Sequence, residues 1–312
     1  MLHDYMMYGR DSNFIKNKLP GERQILQYFS RYQQKDGSLK GVPYWMFTDW
    51  VEKKGWNSGV GPVGLNGNSA LLDLQLVWAY QLAADLESKY GLASYVSLYK
   101  QSADQLKKTI RDKYWSIDRN LFADRPEKDY YSQHANTLAI LTGTISGQQA
   151  NAIGKRMLTD SSLAPASIYF KFYLHQALVK AGLGNDYLTW LDQWRENIHM
   201  GMTTWAEISD INNARSDCHA WGASPNIEFF RTVMGIDSEA PGFGKVRIEP
   251  RLGHLKNISG EIPHPGGKIF TSYQFENGKW KIQIRLPAQT SGRFIWNHKD
   301  YPLKGGNNDF TF

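Results

Sequence analysis

Apolar residues recur at helical spacing along about the first three quarters of the chain, which predicts helices there. The segments with this pattern are 19–37, 68–91, 93–115, 133–143, 146–158, 166–182, 185–201 and 224–236. The opening segment, 1–14, has the pattern of a helix interior. Short loops that contain glycine separate most of these segments, and such loops favour antiparallel helical hairpins.

Proline and glycine suggest where individual helices begin and end. Pro20 is expected at the start of the helix over 19–37, and Gly37 at its end. Ser224 is expected to cap the last helix, with Pro225 in its first turn.

The pattern changes near residue 238, after which apolar and polar residues alternate in short runs. The turn sequences "PGG" (265–267) and "ENGK" (276–279) separate these runs. This pattern predicts a small antiparallel β-domain, most simply a sandwich. The expected domains are therefore a helical domain over 1–238 and a β-sandwich domain over 239–312.

The bulk properties exclude several classes of protein. Among the 312 residues the formal net charge is +6, but the charges are interspersed, with no clustered basic segment that would indicate nucleic-acid binding. No apolar run approaches the roughly 18 residues of a membrane span. The single cysteine, Cys218, cannot form an internal disulfide and is expected to be a buried structural residue. No cofactor or metal site is expected. The segment "GVGPVG" (59–64) matches the glycine spacing of a dinucleotide-binding motif but follows no strand, and "DINNARSD" (210–217) lacks the spacing of a calcium loop.

Two segments concentrate aromatic and acidic side chains, in a chain that is 13% aromatic and has 11 tryptophans. Carboxyl groups flanked by tryptophans suit glycoside hydrolysis, since one carboxyl can activate water and indole burial can tune its acidity. The residues of the first segment, 43–56, are Trp45, Asp49, Trp50 and Trp56, and those of the second, 203–225, are Trp205, Glu207, Asp217, His219 and Trp221. The alternative is that these clusters only pack, with Asp49 serving as a cap or an arginine partner.

At these residues the chain resembles glycoside hydrolase family 78, the α-L-rhamnosidases, over essentially its whole length. "HDYMMYGRDSNFIKNKLPGERQILQYF", "PYWMFTDW" and "SQHANTLAILTG" resemble segments of the helical domain of that family. "TTWAE", "SDCHAWGASP" and "PGFGKVRIEP" resemble its most diagnostic blocks.

The resemblance implies an (α/α)6 toroid followed by an antiparallel β-sandwich, and hydrolysis of terminal α-L-rhamnosides with inversion. It implies that Glu207 is the general base that activates water. It further implies a substrate site formed by Asp49, Trp45, Trp50, Trp56, Trp205, His219 and Trp221, with a carbohydrate as the partner and no cofactor or metal. The block here is Trp-Ala-Glu where many members have Trp directly before Glu, so the aromatic neighbour of Glu207 differs.

The resemblance also implies that the general acid of the family lies upstream of this chain, and that the toroid is incomplete. This chain alone is therefore expected to have little activity. The pattern supplies eight or nine of twelve helices, so the open edge is expected to favour self-association. Any signal peptide would also lie upstream, which leaves a bacterial cytoplasmic or periplasmic location open. Two alternatives to a rhamnosidase remain: a sugar-binding module without chemistry, and a related (α/α)6 glycosidase for another sugar.

Overall fold

The computed structural model describes all residues, Met1–Phe312. The α-helices are α1 (Leu2–Tyr8), α2 (Ser12–Ser30), α3 (Ala70–Tyr90), α4 (Ala93–Tyr114), α5 (Gln133–Leu141), α6 (Gly147–Thr159), α7 (Lys171–Leu178), α8 (Asp192–His199) and α9 (Ser224–Glu228). The strands are β1 (Trp115–Ser116), β2 (Leu121–Phe122), β3 (Ile236–Ala240), β4 (Lys245–Ile248), β5 (Asn257–His264), β6 (Gly267–Glu276), β7 (Lys279–Leu286), β8 (Ser291–Trp296), β9 (Lys299–Leu303) and β10 (Gly306–Thr311). The order, helices first and a β-rich end, confirms the predicted fold class.

Helices α3 and α4 form the best-defined hairpin of the helical region. They are joined at Gly91 and Leu92, and their boundaries lie within two residues of the predicted segments. Helix α3 is apolar on most of its circumference, and Leu71, Leu74 and Val77 are buried. Burial on several faces is typical of a helix in the interior of a domain.

The structure contradicts the expected start of the second helix. Helix α2 begins at Ser12, and Pro20 lies inside it. A proline in a helix removes one backbone hydrogen bond, and its ring crowds the preceding turn. The helix nevertheless continues, because Leu19 and Leu26, seven residues apart on one face, are both buried and their packing opposes that loss.

The β-rich end consists of two four-stranded sheets. One has the strand order β10-β7-β6-β5, and the other has the order β3-β4-β8-β9. The pairs are antiparallel, as predicted, except that β4 and β8 pair in parallel. The long connection from β4 to β8 passes through the strands of the other sheet, and such a crossover is what a parallel pair requires.

Apolar side chains from both sheets form one core, which is the arrangement of a β-sandwich. Val246 and Phe294 from one sheet and Ile269, Tyr273 and Ile284 from the other are fully buried. The predicted turn between β6 and β7 is formed by Asn277 and Gly278, both with positive φ, as a two-residue hairpin requires.

The chain folds into two compact units. One comprises 16–183 and 192–223, and is called the helical unit below; the other comprises 1–15, 184–191 and 224–312. Strand β3 crosses residue 238, and the domain boundary at that residue stays a prediction. No helix has the length and apolar character needed to cross a membrane.

Candidate functional site

A cleft of about 530 Å³ lies in the helical unit, and three loop segments line it. These segments are 50–59, 165–167 and 207–215, and they contribute Trp50, Ser167 and Glu207. The glycine-rich segment 59–64 contributes Gly59, which has positive φ and approaches the Phe47 ring so closely that a side chain there would collide. The two aromatic and acidic segments of the sequence therefore meet at one cleft.

Glu207 is held at this cleft through its backbone. Its N–H donates to the Ser216 carbonyl oxygen at 2.8 Å, and its own carbonyl oxygen accepts from Trp221 Nε1 at 2.7 Å. The residue is only 4% exposed. Loop 203–223 contains short 3-10 turns but no α-helix, so these hydrogen bonds, together with neighbouring packing, fix where the carboxylate points.

Both carboxylate oxygens of Glu207 accept hydrogen bonds from Arg215. Arg215 Nη2 donates to Oε1 at 2.5 Å, and Arg215 Nε donates to Oε2 at 3.2 Å. The Arg215 side chain is 80% exposed, whereas the carboxylate is buried. A bidentate pair orients a carboxylate strongly, but an exposed guanidinium exchanges its partners with water at little cost. The carboxylate therefore retains a route to a hydrogen-bonded water.

Asp49 is the second buried carboxylate of this region and is fully inaccessible. It accepts from the Ser167 N–H at 2.8 Å, from the Ser167 hydroxyl, and from His134 Nε2 at 2.6 Å. No lysine or arginine pairs with it in the structure, and its side-chain partners are Ser167 and His134. The group Asp49, Ser167 and His134 is called the Asp49 clamp below, since it joins the segment of Trp50 to that of Ser167.

The Asp49 clamp explains a second difference from the predicted elements. The sequence pattern predicts a helix throughout 166–182, yet α7 begins only at Lys171. The Ser167 N–H donates to Asp49, and the Ile168 N–H donates to Ser209 Oγ at 3.1 Å. These partners lie far away in sequence, so the start of the segment turns along the cleft rather than joining the helix.

Behind the Asp49 clamp lies a further buried carboxylate, Asp124. Its Oδ1 accepts from the Ser132 hydroxyl at 2.5 Å, whereas its Oδ2 has no hydrogen-bond partner. Burial raises the pKa of Asp124 to about 6, opposed by the hydrogen bond from Ser132 and by His134. The His134 ring contacts the rings of Trp56 and Phe170, with centroid distances of 4.7 Å and 4.3 Å.

Two groups of aromatic rings lie near the segments that line the cleft. In one, the Trp50 ring lies 5.1 Å from Phe47 and 5.9 Å from Trp45. In the other, the Trp221 ring lies 4.8 Å from Tyr169 and 4.3 Å from His219. Burial raises the pKa of Tyr169 above its usual range, so its phenol stays neutral.

The predicted site residues lie in three positions relative to the cleft. Trp50 and Glu207 line it, and Trp45 is exposed at its margin. The others lie behind the residues that line the cleft. Asp49 belongs to the Asp49 clamp, and Trp56 packs on His134. Trp205 accepts the His219 N–H through its carbonyl oxygen at 2.9 Å, and Trp221 Nε1 donates to the Glu207 carbonyl oxygen.

The sequence analysis did not single out three residues of this region, which are Ser167, His134 and Arg215. His134 lies in the segment "SQHANTLAILTG", so that motif could have indicated it. Arg215 lies eight residues from Glu207 in a loop, and Ser167 lies 118 residues from Asp49, so no local pattern links either pair.

The expectation for Cys218 is wrong, because this cysteine is exposed. Its N–H donates to Ser216 Oγ at 3.3 Å, within the loop that carries Glu207 and Arg215. A loop built from local hydrogen bonds has no apolar interior in which to bury a small side chain.

Known protein families match the chain over most of its length. Residues 2–233 match the bacterial alpha-L-rhamnosidase 6 hairpin glycosidase domain, and residues 235–309 match the bacterial alpha-L-rhamnosidase C-terminal domain. An alpha-L-rhamnosidase of Alteromonas sp. (strain LOR) is 22% identical over 93% of this chain and 33% of its own length.

Solved structures resemble the fold. The rhamnosidase of family GH78 from Bacillus sp. GL1 superposes with a TM-score of 0.82 and 23% identity, covering 93% of this chain and 31% of that one. The Streptomyces avermitilis alpha-L-rhamnosidase, solved with L-rhamnose, superposes with a TM-score of 0.77 and 16% identity, covering 99% and 32%. The present chain thus spans about a third of the length of these relatives.

These matches extend over both the helical and the β-rich regions, and they confirm the expected toroid-and-sandwich fold class. The chain therefore belongs to the bacterial α-L-rhamnosidase family.

Proposed function

We propose that the chain carries the sugar site and the general base of an α-L-rhamnosidase, which hydrolyses terminal α-L-rhamnosides with inversion. The observation that supports this most is the position of Glu207. Its carboxylate is buried at a cleft of about 530 Å³, and its backbone is fixed by hydrogen bonds on both sides. A cleft of this volume accommodates a sugar ring.

In this proposal Glu207 accepts a proton from the attacking water, which adds to the anomeric carbon as the glycosidic bond breaks. The departing oxygen takes a proton from a general acid, which an inverting mechanism places about 6.5–9.5 Å from the base. Before water can bind, Arg215 gives up at least one of its hydrogen bonds to the carboxylate. The exposed position of that guanidinium makes this exchange inexpensive.

The remaining residues have two kinds of role. Trp50 presents its ring to the apolar face of the rhamnose. Trp221, which donates to the Glu207 carbonyl oxygen, and His219, whose ring contacts Trp221, shape the pocket from behind its wall. Asp49, Trp56 and Trp205 act behind the wall as positioning residues. The proposal assigns Asp49 in this way because all three of its hydrogen bonds are made inside the protein.

The base assignment is tested with Glu207→Gln, which keeps the shape of the side chain but removes its basicity. In a protein that also carries the upstream general acid implied by the family resemblance, hydrolysis of an aryl α-L-rhamnoside is expected to fall at least about 10²–10⁴-fold, the usual effect of general acid–base catalysis. Glu52→Gln is the matched control, since Glu52 lines the same cleft but is exposed. Turnover by Glu207→Gln close to that of the unaltered protein would contradict the assignment.

A sugar-binding module without chemistry is the second candidate, and the occupied oxygens of Glu207 favour it. Calorimetry with L-rhamnose separates the two. Turnover is then measured in a chain completed by the upstream segment that is expected to carry the general acid. Binding together with Glu207-dependent turnover there supports the hydrolase, and binding without turnover even in that completed chain supports the module. Binding and turnover of another sugar in place of rhamnose would support the related glycosidase.

A further inference from the structure

Trp45 differs from every other tryptophan of the chain. It is 61% exposed, whereas the other ten are buried or partly buried. An exposed apolar side chain is common on protein surfaces and by itself indicates nothing. What distinguishes Trp45 is that it lies beside the candidate cleft and is held in a fixed orientation.

Three contacts fix the Trp45 indole. Its Nε1 donates to the Ser58 carbonyl oxygen at 2.8 Å. Its ring lies 5.1 Å from the Phe47 ring and 5.9 Å from the Trp50 ring, measured between centroids. Trp50 and Ser58 both line the cleft, whereas Trp45 does not. The indole is thus attached to the cleft wall and extends the aromatic surface outward from it.

The backbone on both sides of this contact is in an unfavourable conformation. Tyr44, directly before Trp45, has φ of 73°, and Ser58, the partner of the indole, has φ of 49°. Residues other than glycine seldom adopt positive φ, and such strain is concentrated at functional sites. The loop therefore keeps two strained residues while presenting an apolar ring to solvent.

We propose that Trp45 is a stacking platform for the leaving group of the substrate, the ring joined to rhamnose through the glycosidic oxygen. This inference rests on the proposed function and refines it, because it moves Trp45 from the rhamnose pocket to the aglycone side. The ligand class is a rhamnoside whose next ring offers a flat apolar face, such as an aryl ring. A ring held in advance binds such a face without loss of its own side-chain freedom.

The test compares the binding of L-rhamnose, methyl α-L-rhamnoside and phenyl α-L-rhamnoside to the 312-residue chain by calorimetry. The phenyl glycoside is expected to bind about fivefold more tightly than the methyl glycoside, a gain typical of one aromatic pair. In Trp45→Ala this ratio is expected to fall to about one, and in Trp45→Phe to recover in part.

Two variants serve as controls. Tyr44→Gly removes the neighbouring exposed ring while allowing positive φ, and it is expected to keep the phenyl-to-methyl ratio. Trp50→Ala is expected to weaken all three ligands together. Unfolding midpoints of each variant, measured in urea, show whether a loss of binding reflects loss of folding.

The outcomes separate the inference from the proposed function. An equal loss for all three ligands in Trp45→Ala would place Trp45 in the rhamnose pocket and overturn the platform, while the sugar site would stand. An unchanged ratio in Trp45→Ala, or its loss in Tyr44→Gly, would also overturn it. No binding of L-rhamnose to the unaltered chain would overturn the proposed sugar site, and with it the platform.

Discussion

Asp49 and Glu207 are both buried carboxylates at the candidate cleft, but they are held in opposite ways. Asp49 accepts all its hydrogen bonds from buried groups, Ser167 and His134. Glu207 accepts from one exposed side chain, Arg215. Interior partners cannot exchange with water without unfolding part of the loop, whereas an exposed guanidinium can. The comparison therefore distinguishes a carboxylate that holds the cleft together from one that is free to change partners.

The largest expected effect on stability is that of Asp49→Ala. This change leaves the two Ser167 donors and His134 Nε2 buried without a partner, so unfolding is expected to be easier by about 4 kcal/mol. Urea unfolding measures it. Glu52→Ala, which removes an exposed carboxyl from the same cleft, is expected to stay within about 0.5 kcal/mol. A cost for Asp49→Ala no greater than for Glu52→Ala would show that the clamp does not stabilise the fold.

An intermediate effect is expected from Asp124, because one of its oxygens has no partner and burial raises its pKa to about 6. The usual aspartate pKa is about 4, so the folded chain binds this proton more tightly than the unfolded chain. The stability that this group contributes is fully present below about pH 4 and is lost as the pH rises through about 6.

The corresponding variant is Asp124→Asn, which cannot ionise. Between about pH 4.5 and about pH 7 the unaltered chain is expected to lose about 2 kcal/mol more unfolding free energy than the variant. Asp73, whose pKa burial raises to about 7, is present in both proteins and cancels in the difference. Parallel pH dependence of the two proteins would mean that Asp124 does not titrate in this window.

The smallest effect on stability is expected from Arg215→Ala. Because the guanidinium is 80% exposed, its loss is expected to lower the unfolding free energy by less than about 1 kcal/mol. Arg195→Ala, an exposed arginine paired with Asp192, is the matched control for stability. L-rhamnose affinity, measured by calorimetry, is expected to change in Arg215→Ala and not in Arg195→Ala. Destabilisation as large as that of Asp49→Ala would remove the distinction between the two carboxylates.

Much of the fold followed from local patterns. The helical spacing located α3, α4, α5 and α6 to within a few residues, and Asn277-Gly278 located the β6–β7 turn. Such patterns involve residues within one or two turns of each other, which a sequence displays directly. Pro20 shows where local patterns fail, since burial of Leu19 and Leu26 outweighs the local preference of proline.

The candidate site was foreseen only in part. The motifs containing Trp50 and Glu207 pointed to residues that line one cleft. The partners of the carboxylates were not foreseen, because hydrogen bonding between side chains has no periodicity in sequence. The prediction that Cys218 is buried was wrong. Amino-acid composition does not distinguish a surface loop that forms its own hydrogen bonds from a segment of the core.

The sequence by itself determined the succession of helices and strands, the family and the identity of the acidic and aromatic residues at the site. Only the tertiary structure decided what each of them does there. It joined Asp49 to Ser167 across 118 positions and to His134 across 85, and it ended the expected helix before Lys171. It left Trp45 exposed on a strained loop. The reason is that a buried charge is stabilised by whichever donors folding brings to it, and that choice depends on the packing of the whole unit.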